Sequence, residues 1–161
     1  MTLDATDKAL LNLLQQDCKQ TNKQLSLQLN LSVTAVYERI KKLEREGVIQ
    51  KYVTLLNKEK VNLSLVVFCQ IKLVQHAKEY LTKFENEVTQ LEEVLECFHV
   101  SGEYDYLLKV IVRDMEHFRT FMVTKLTTLQ HIGSTQSSFV INEVKNTTQI
   151  SVSWKVLPTS L

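Results

Sequence analysis

The spacing of apolar residues changes part-way along this 161-residue chain, and that change predicts an α+β protein. Up to Gly47, apolar residues recur every three or four positions, as on one face of a helix. From Leu65, they occupy every second position, as in a strand covered on one face. The two patterns predict an N-terminal winged helix-turn-helix followed by a ferredoxin-like β-α-β-β-α-β domain. We expect the first domain, with a connecting strand, to span residues 1–60 and the second to span residues 61–161.

Polar capping residues mark the first two helices. Asp4 or Thr6 can begin a helix that ends near Cys18. Its apolar positions are Leu10, Leu11 and Leu14. A second helix is expected to begin at Thr21-Asn22. The leucines that follow alternate as in a strand, but the polar start and the Gln- and Lys-rich remainder favour a short helix.

The third helix is the most informative segment of the first half. Ser32 is a good N-cap and Gly47 a natural terminator. Its apolar stripe consists of Val33, Val36, Ile40 and Leu43. The opposite face carries short or polar residues first and basic residues afterwards, which suits a helix that enters the DNA major groove by its N-terminal end. A solvated amphipathic helix would show the same pattern, so periodicity alone leaves both interpretations open. The alternation from Val48 to Leu56 predicts a wing or a connecting strand.

The second half reads as four strands and two helices. The predicted strands are Leu65–Leu73, Val94–Val100, Tyr106–Val112 and Phe139–Val144. One helix is expected over residues 76–91, and Asp114 can cap another that carries Phe118 and Phe121. With both helices on one face of an antiparallel sheet, the other face stays open. It carries Val66, Phe68, Leu107 and Ile111, so we expect it to pack against another subunit.

Composition and charge exclude several classes of protein. The three cysteines and four histidines show no metal-ligand spacing, so neither a disulfide framework nor a metal site is expected. No apolar run approaches the length of a membrane span and no signal pattern opens the chain, which makes the cytoplasm the expected compartment. Residues 1–60 hold ten Lys and Arg against seven Asp and Glu, whereas the remainder holds nine against eleven. Only the first part is suited to a polyanion.

Several motifs together resemble the Lrp/AsnC family, the leucine-responsive or feast/famine transcriptional regulators. The segment 39–49, RIKKLEREGVI, is similar to the family signature that follows the start of the recognition helix. The second half contributes 100–108, VSGEYDYLL, together with Asp114-Met115 and Glu143-Val144-Lys145. The likeness covers nearly the whole chain. Two departures are Asn62, where the family often has glycine, and His131-Ile132-Gly133, where it often has Pro-Gly.

The resemblance implies a sequence-specific regulator that binds double-stranded DNA and an amino-acid effector, with no cofactor. It implies a homodimer that assembles into tetramers or octamers and binds the effector between dimers. Two recognition helices would then lie about 34 Å apart on the DNA. The residues expected to read bases are Ser32, Thr34, Ala35, Tyr37 and Glu38. Those expected to hold phosphates are Arg39, Lys41, Lys42 and Arg45, with Lys51 nearby.

The resemblance places the effector pocket at a turn and at the start of the last strand, within residues 133–140. The expected pocket residues are Ser101, Gly102, Glu103, Tyr104, Asp105, Thr135, Gln136, Ser137 and Ser138. Backbone N–H groups at Ser101-Gly102 can bind a carboxylate, and Glu103 and Asp105 can accept from an ammonium group. Alternatively, Gly102 only makes a hairpin turn that Asp105 caps.

Two other functions remain open on the sequence. One is an enzyme on the same scaffold, because siroheme decarboxylases resemble this family in fold. Glu103 and Asp105 would then be an acid/base pair, but no nucleophile, metal cluster or phosphate loop accompanies them, so we expect no enzyme. The other is a DNA-organising protein with little sequence preference and no effector.

Overall fold

The computed structural model describes residues 2–152 and divides the chain into two compact units. The first comprises Met1–Thr54 with the C-terminal segment that begins at Lys145. The second comprises Leu55–Val144. Residues 145–152 therefore group with the first unit, whereas the predicted second domain ran from residue 61 to the end of the chain.

The described part of the first unit contains three helices: α1 (Ala5–Gln16), α2 (Asn22–Leu29) and α3 (Val33–Arg45). Asp4, Thr21 and Ser32 cap them, each accepting a hydrogen bond from a backbone N–H of the first turn. The buried apolar residues that join the helices are Leu10, Leu11, Leu25, Val36 and Leu43. Asn30, with φ of 53°, ends α2, and Gly47, with φ of 71°, follows α3.

Two expectations for the first unit are wrong. Val33 lies outside the core, with 47% of its surface exposed, because it is the first residue of α3 and the core begins one turn later at Val36. Residues 48–56 form no strand. A segment with alternating apolar and polar residues forms a strand only where a partner strand supplies hydrogen bonds. No partner strand lies beside this segment in residues 2–152. Instead, the Tyr52 hydroxyl donates to Glu44 Oε1 at 3.0 Å, which ties the segment to the end of α3.

The second unit has the predicted β-α-β-β-α-β order. Its elements are β1 (Leu65–Leu73), α4 (Lys78–Val88), β2 (Val94–His99), β3 (Tyr106–Val112), α5 (Met115–Thr124) and β4 (Ile132–Phe139), with short 3-10 turns at Glu59–Val61 and Leu126–Thr128. The strands form one antiparallel sheet in the order β2-β3-β1-β4. The α+β class and the predicted β1 are confirmed.

One face of the sheet carries the core of this unit. Alternate residues of β1 and β3 pack there against the two helices, with Phe84 from α4 and Phe121 from α5 fully buried. On the opposite face, Phe68 and Leu107 are half-buried, while Val66 and Ile111 are already buried within the chain. The apolar surface left open on that face is therefore smaller than the sequence predicted.

The last strand lies earlier than its periodicity indicated. It spans Ile132–Phe139, whereas apolar spacing predicted Phe139–Val144; the range 133–140 implied by the family resemblance is close to the observed strand. β4 is an edge strand of mostly small polar residues, so it has no strong apolar alternation to detect. Its register is nonetheless defined, with Gln136 opposite Gln70 and Phe139 opposite Val67.

Candidate functional site

The N-terminal half of α3 presents a small, polar and exposed surface. Thr34, Tyr37 and Glu38 are exposed, and Ala35 is half-buried. The Ser32 Oγ accepts from the Ala35 N–H at 3.1 Å, so this hydroxyl caps the helix as well as facing solvent. The absence of bulky side chains at Thr34 and Ala35 allows close approach of a groove edge to the helix backbone.

Arg39 differs from the other basic residues of α3 because it faces two carboxylates of its own unit. Its Nη1 lies 2.7 Å from Asp4 Oδ2 and 2.5 Å from Asp7 Oδ1. The hydrogen bonds that the guanidinium donates to Asp4 and then to Asp7 raise the pKa of Arg39. The sequence assigned Arg39 to phosphate binding, but these contacts direct its guanidinium toward α1. These two ion pairs hold α3 against α1.

The remaining cations of α3 are not equivalent. Lys41 Nζ lies 2.8 Å from Glu44 Oε2 and 5.9 Å from the centre of the Tyr37 ring, and the hydrogen bond that it donates to Glu44 raises the pKa of Lys41. Arg45 lies 3.7 Å from Glu46. Lys42 is exposed and pairs with no acidic residue within residues 2–152. Lys42 is therefore available to a phosphate without first leaving a partner.

The turn between β2 and β3 borders a depression of about 410 Å³ in the second unit. Its lining residues are Gln70, Val100, Ser101, Glu103, Tyr104, Leu107 and Gln136. The volume falls within the range of small-molecule sites. The Tyr104 hydroxyl donates to Gln136 Oε1 at 2.6 Å, joining the turn to β4. The lining thus combines an apolar wall, neutral amides and one carboxylate.

Backbone geometry sets the shape of this turn. Gly102 has φ of 133°, which L-residues with a side chain rarely adopt. The N–H groups of Ser101 and Gly102 donate to no other residue between 2 and 152. They are available to an anionic ligand group.

Asp105 closes the turn and is not part of the depression. Its Oδ2 accepts from the Leu73 N–H at 2.7 Å, and its Oδ1 lies 2.9 Å from His76 Nε2. Its backbone also bonds β1, because the Asp105 N–H donates to the Ile71 carbonyl at 2.9 Å. Asp105 therefore anchors the turn to β1, as in the alternative interpretation, and its carboxylate already has partners.

The strand period divides the predicted β4 residues between two faces. Gln136 and Ser138 lie on the open face, and Gln136 lines the depression. Thr135 and Ser137 lie on the helix-covered face, where Ser137 Oγ is 3.7 Å from Cys69 Sγ. The structure thus does not bring the four residues together. A four-residue run along a strand cannot line one site.

Sequence reasoning missed three lining residues, Gln70, Val100 and Leu107. Gln70 is opposite both Gln136 on β4 and Leu107 on β3, so it lies at the centre of the open face. The alternation in β1 placed Gln70 on that face, but its neighbours depend on the strand register. Only the pairing of three strands reveals the site.

Two family models match this chain along most of its length. The winged helix-turn-helix DNA-binding model matches residues 3–50, and the Lrp/AsnC ligand-binding domain model matches residues 66–150. The chain belongs to the Lrp/AsnC family. It is a DNA-binding transcriptional regulator with a ligand-binding domain.

Curated relatives and solved structures agree with this membership. The leucine-responsive regulatory proteins of Klebsiella pneumoniae and Escherichia coli are 39% identical over 93% of this chain and 92% of theirs. The DNA-binding transcriptional activator DecR of E. coli is 37% identical over 93% of this chain and 99% of its own. A Neisseria meningitidis transcriptional regulator solved with L-methionine is 38% identical, with a TM-score of 0.89 over 92% of this chain and 96% of its own.

The Lrp/AsnC regulator shows two further features within residues 2–152. No helix there is long and apolar enough to cross a membrane. In the same part of the chain, no group of three or more His, Cys, Asp or Glu residues could hold a metal ion.

Proposed function

We propose that this Lrp/AsnC regulator binds a free amino acid in the depression beside the 101–104 turn and changes its DNA binding in response. The hydrogen bond between Tyr104 and Gln136 is the main support for this proposal, because it joins the turn to β4 beside a depression of small-molecule size. Free N–H groups at Ser101 and Gly102 suit the α-carboxylate, and Glu103 suits the α-ammonium. A zwitterion needs both kinds of group.

The cavity lining favours a neutral side chain on the ligand. Among residues 2–152, Glu103 is the only charged residue of the lining, and no Lys or Arg of this part of the chain lines it to receive an acidic side chain. Leu107 and Val100 offer apolar contacts, while Gln70 and Gln136 offer neutral hydrogen bonds. The L-methionine complex of the Neisseria relative supports a ligand of this class.

The first unit is proposed to place α3 in the major groove, with Thr34, Tyr37 and Glu38 toward base edges. Lys42 would bind phosphate directly, and Lys41 and Arg45 would do so by exchanging their acidic partners. Arg39 would act indirectly, by holding α3 on α1.

The second unit is proposed to carry both the ligand site and the oligomer contacts. Phe68 and Leu107, together with the exposed Phe98, leave an apolar patch on the open face of the sheet. Packing this patch against a second copy would form a homodimer, and further contacts would build tetramers or octamers. Within this proposal the chain is a regulator and not an enzyme, because the curated relatives are regulators. In addition, the Asp105 carboxylate, one half of the possible acid/base pair, already contacts the Leu73 N–H and His76.

A thermal-shift panel against the twenty amino acids tests the ligand proposal. A ligand at about 100 times its Kd stabilises the folded state by about 2.7 kcal/mol, which raises Tm by several degrees. We expect neutral amino acids to raise Tm and Glu103→Gln to reduce that rise. Glu92→Gln, which changes an exposed carboxylate outside the cavity, should respond like the wild type. A panel with no shift, or equal shifts in both variants, would contradict the proposal.

A further inference from the structure

The C-terminal segment of the chain docks on α1 through one side chain. The Ile150 N–H donates to Gln15 Oε1 at 2.7 Å, and Gln15 Nε2 donates to the Ile150 carbonyl at 3.0 Å. The side-chain amide of Gln15 thus mimics the edge of a neighbouring strand and satisfies both backbone groups of one residue. Two residues later, Val152 packs against the apolar cluster of the first unit.

This attachment is local, because the rest of the segment is exposed. Every residue from 141 to 151 is exposed, and Ile150 itself exposes 73% of its surface. Hydrogen bonds that face water contribute little to stability individually. The Gln15 hydrogen bonds and the Val152 packing therefore attach the end of the segment to the first unit. We refer to residues 145–152, attached in this way, as the C-terminal latch.

Residues 140–144 connect the latch to β4, the strand that contributes Gln136 to the depression. Gln136 lies on β4, and the chain beyond β4 stays on the second unit through the Val140 N–H, which donates to the Val66 carbonyl at 3.0 Å. Glu143 then pairs with Lys58. The chain passes into the first unit at Val144–Lys145 and reaches Gln15 at Ile150.

We propose that the C-terminal latch transmits ligand occupancy from β4 to the DNA-binding unit, with Gln15 as the positioning residue. The proposal rests on the amino-acid response proposed above. A ligand shifts an equilibrium only by binding its two states differently. A ligand that contacts Gln136 would contact β4, the strand that precedes the latch. Ile150 of the latch binds α1, and Arg39 joins α1 to α3. Docked and released latches are the two states that the ligand distinguishes.

The test compares Gln15→Ala with Gln16→Ala in the full chain. Gln16 is the next residue of α1, is exposed, and its side chain has no hydrogen-bond partner among residues 2–152, so its replacement is the matched control. Neither residue belongs to the proposed DNA or ligand contacts. The DNA is a fragment selected from a random pool by the wild-type protein, and the ligands are L-methionine and L-leucine. For each protein, the Kd for DNA is measured with and without ligand, and calorimetry gives the Kd for ligand without DNA.

We expect the amino acid to change the wild-type Kd for DNA by at least fivefold, and the same change in Gln16→Ala. In Gln15→Ala, the Kd for DNA with ligand should differ from the Kd without ligand by less than twofold. The Kd for ligand should stay within twofold of the wild-type value. Gln15→Glu keeps the acceptor but loses the donor, so its change in Kd for DNA should be intermediate. Amide exchange at Ile150 should be faster in Gln15→Ala than in Gln16→Ala.

If the ligand changed the Kd of Gln15→Ala for DNA as much as that of the wild type, the proposed role of the latch would be wrong. An unchanged exchange rate at Ile150 in that variant would also overturn that role. A wild-type protein that none of the twenty amino acids stabilises in the thermal-shift panel would instead overturn the proposed function, and the two failures are distinguished because that one appears before any substitution is made.

Discussion

Arg39 and Asp7 form an ion pair that joins α3 to the first helix of the chain. Arg39 Nη1 lies 2.5 Å from Asp7 Oδ1, and Asp7 exposes only 1% of its surface. Asp7 also accepts from the Asp4 N–H at 3.2 Å as part of the capping box of α1. A buried carboxylate is stable only while its charge is balanced, so the orientation of α3 depends on this contact.

Arg39→Ala should lower the free energy of unfolding by about 2 kcal/mol, because it leaves the Asp7 carboxylate without its cation. Arg45→Ala, which removes an exposed arginine of the same helix, should change it by less than about 0.5 kcal/mol. Urea unfolding of both variants checks this. Equal effects would contradict the assigned role, as would full additivity in the Arg39→Ala/Asp7→Ala double variant.

Asp4 should contribute to acid unfolding. The hydrogen bond from the Asp7 N–H, followed by that from Arg39, holds the pKa of Asp4 below its usual value of 3.8. The folded state therefore favours the ionised form. Its stabilisation is complete above the pKa of the unfolded chain and is lost as the pH falls through the lower folded pKa.

Asp4→Asn should accordingly lose less Tm than the wild type as the pH falls from about 4 to about 2. Asp17→Asn, which replaces an exposed carboxylate just beyond α1, is the control and should retain the wild-type slope. Scanning calorimetry across this pH range gives the comparison. The same slope in all three proteins would show that the Asp4 contacts do not affect stability.

Lys42→Ala should weaken binding to selected and random DNA alike. One lost phosphate contact per protomer lowers the slope of log K against log salt by about 0.9. Lys41→Ala should have a smaller effect, because Lys41 must first give up its 2.8 Å contact with Glu44. Fluorescence anisotropy at several salt concentrations measures both slopes, with Lys78→Ala on α4 as the control. A larger slope change for Lys41 than for Lys42 would reverse the assignment.

Gly47 and Gly102 should respond differently to replacement by asparagine. Gly47, at φ of 71°, lies in the left-handed region that asparagine tolerates, whereas Gly102, at 133°, lies outside it. Neither would bring a new Cβ within 4 Å of another atom, so backbone conformation alone sets the effect. Alanine should cost about 1 kcal/mol at either position.

Asparagine should recover most of that loss at Gly47 and little at Gly102. Unfolding measurements on the four single variants make the comparison, with hydrogen exchange assigning each loss to its unit. Equal recovery at both positions would mean that the Gly102 turn can move into the left-handed region.

Sequence reasoning worked best where structure depends on near neighbours. The caps at Asp4, Thr21 and Ser32 satisfy N–H groups three residues away, so a short window of sequence contains the whole interaction. β1 was found with its observed ends because one of its faces is fully apolar.

It failed where an element depends on a partner or on the edge of a sheet. Residues 48–56 alternate like a strand but have no partner strand in residues 2–152. β4 is a strand with little apolar alternation, because its place in the sheet comes from hydrogen bonds to β1. Strand propensity largely reflects context, so neither error could be corrected from composition.

The sequence by itself determined the α+β class, the helix caps, the face of α3 that stays exposed and the Gly102 turn, because each follows from local periodicity or backbone conformation. Only the tertiary structure decided that Arg39 pairs with Asp7 and not with solvent, and that Tyr104 meets Gln136. It also decided that Thr135 and Gln136 face opposite sides of the sheet. These relationships join residues far apart in the chain or depend on strand register, and only the folded backbone specifies them.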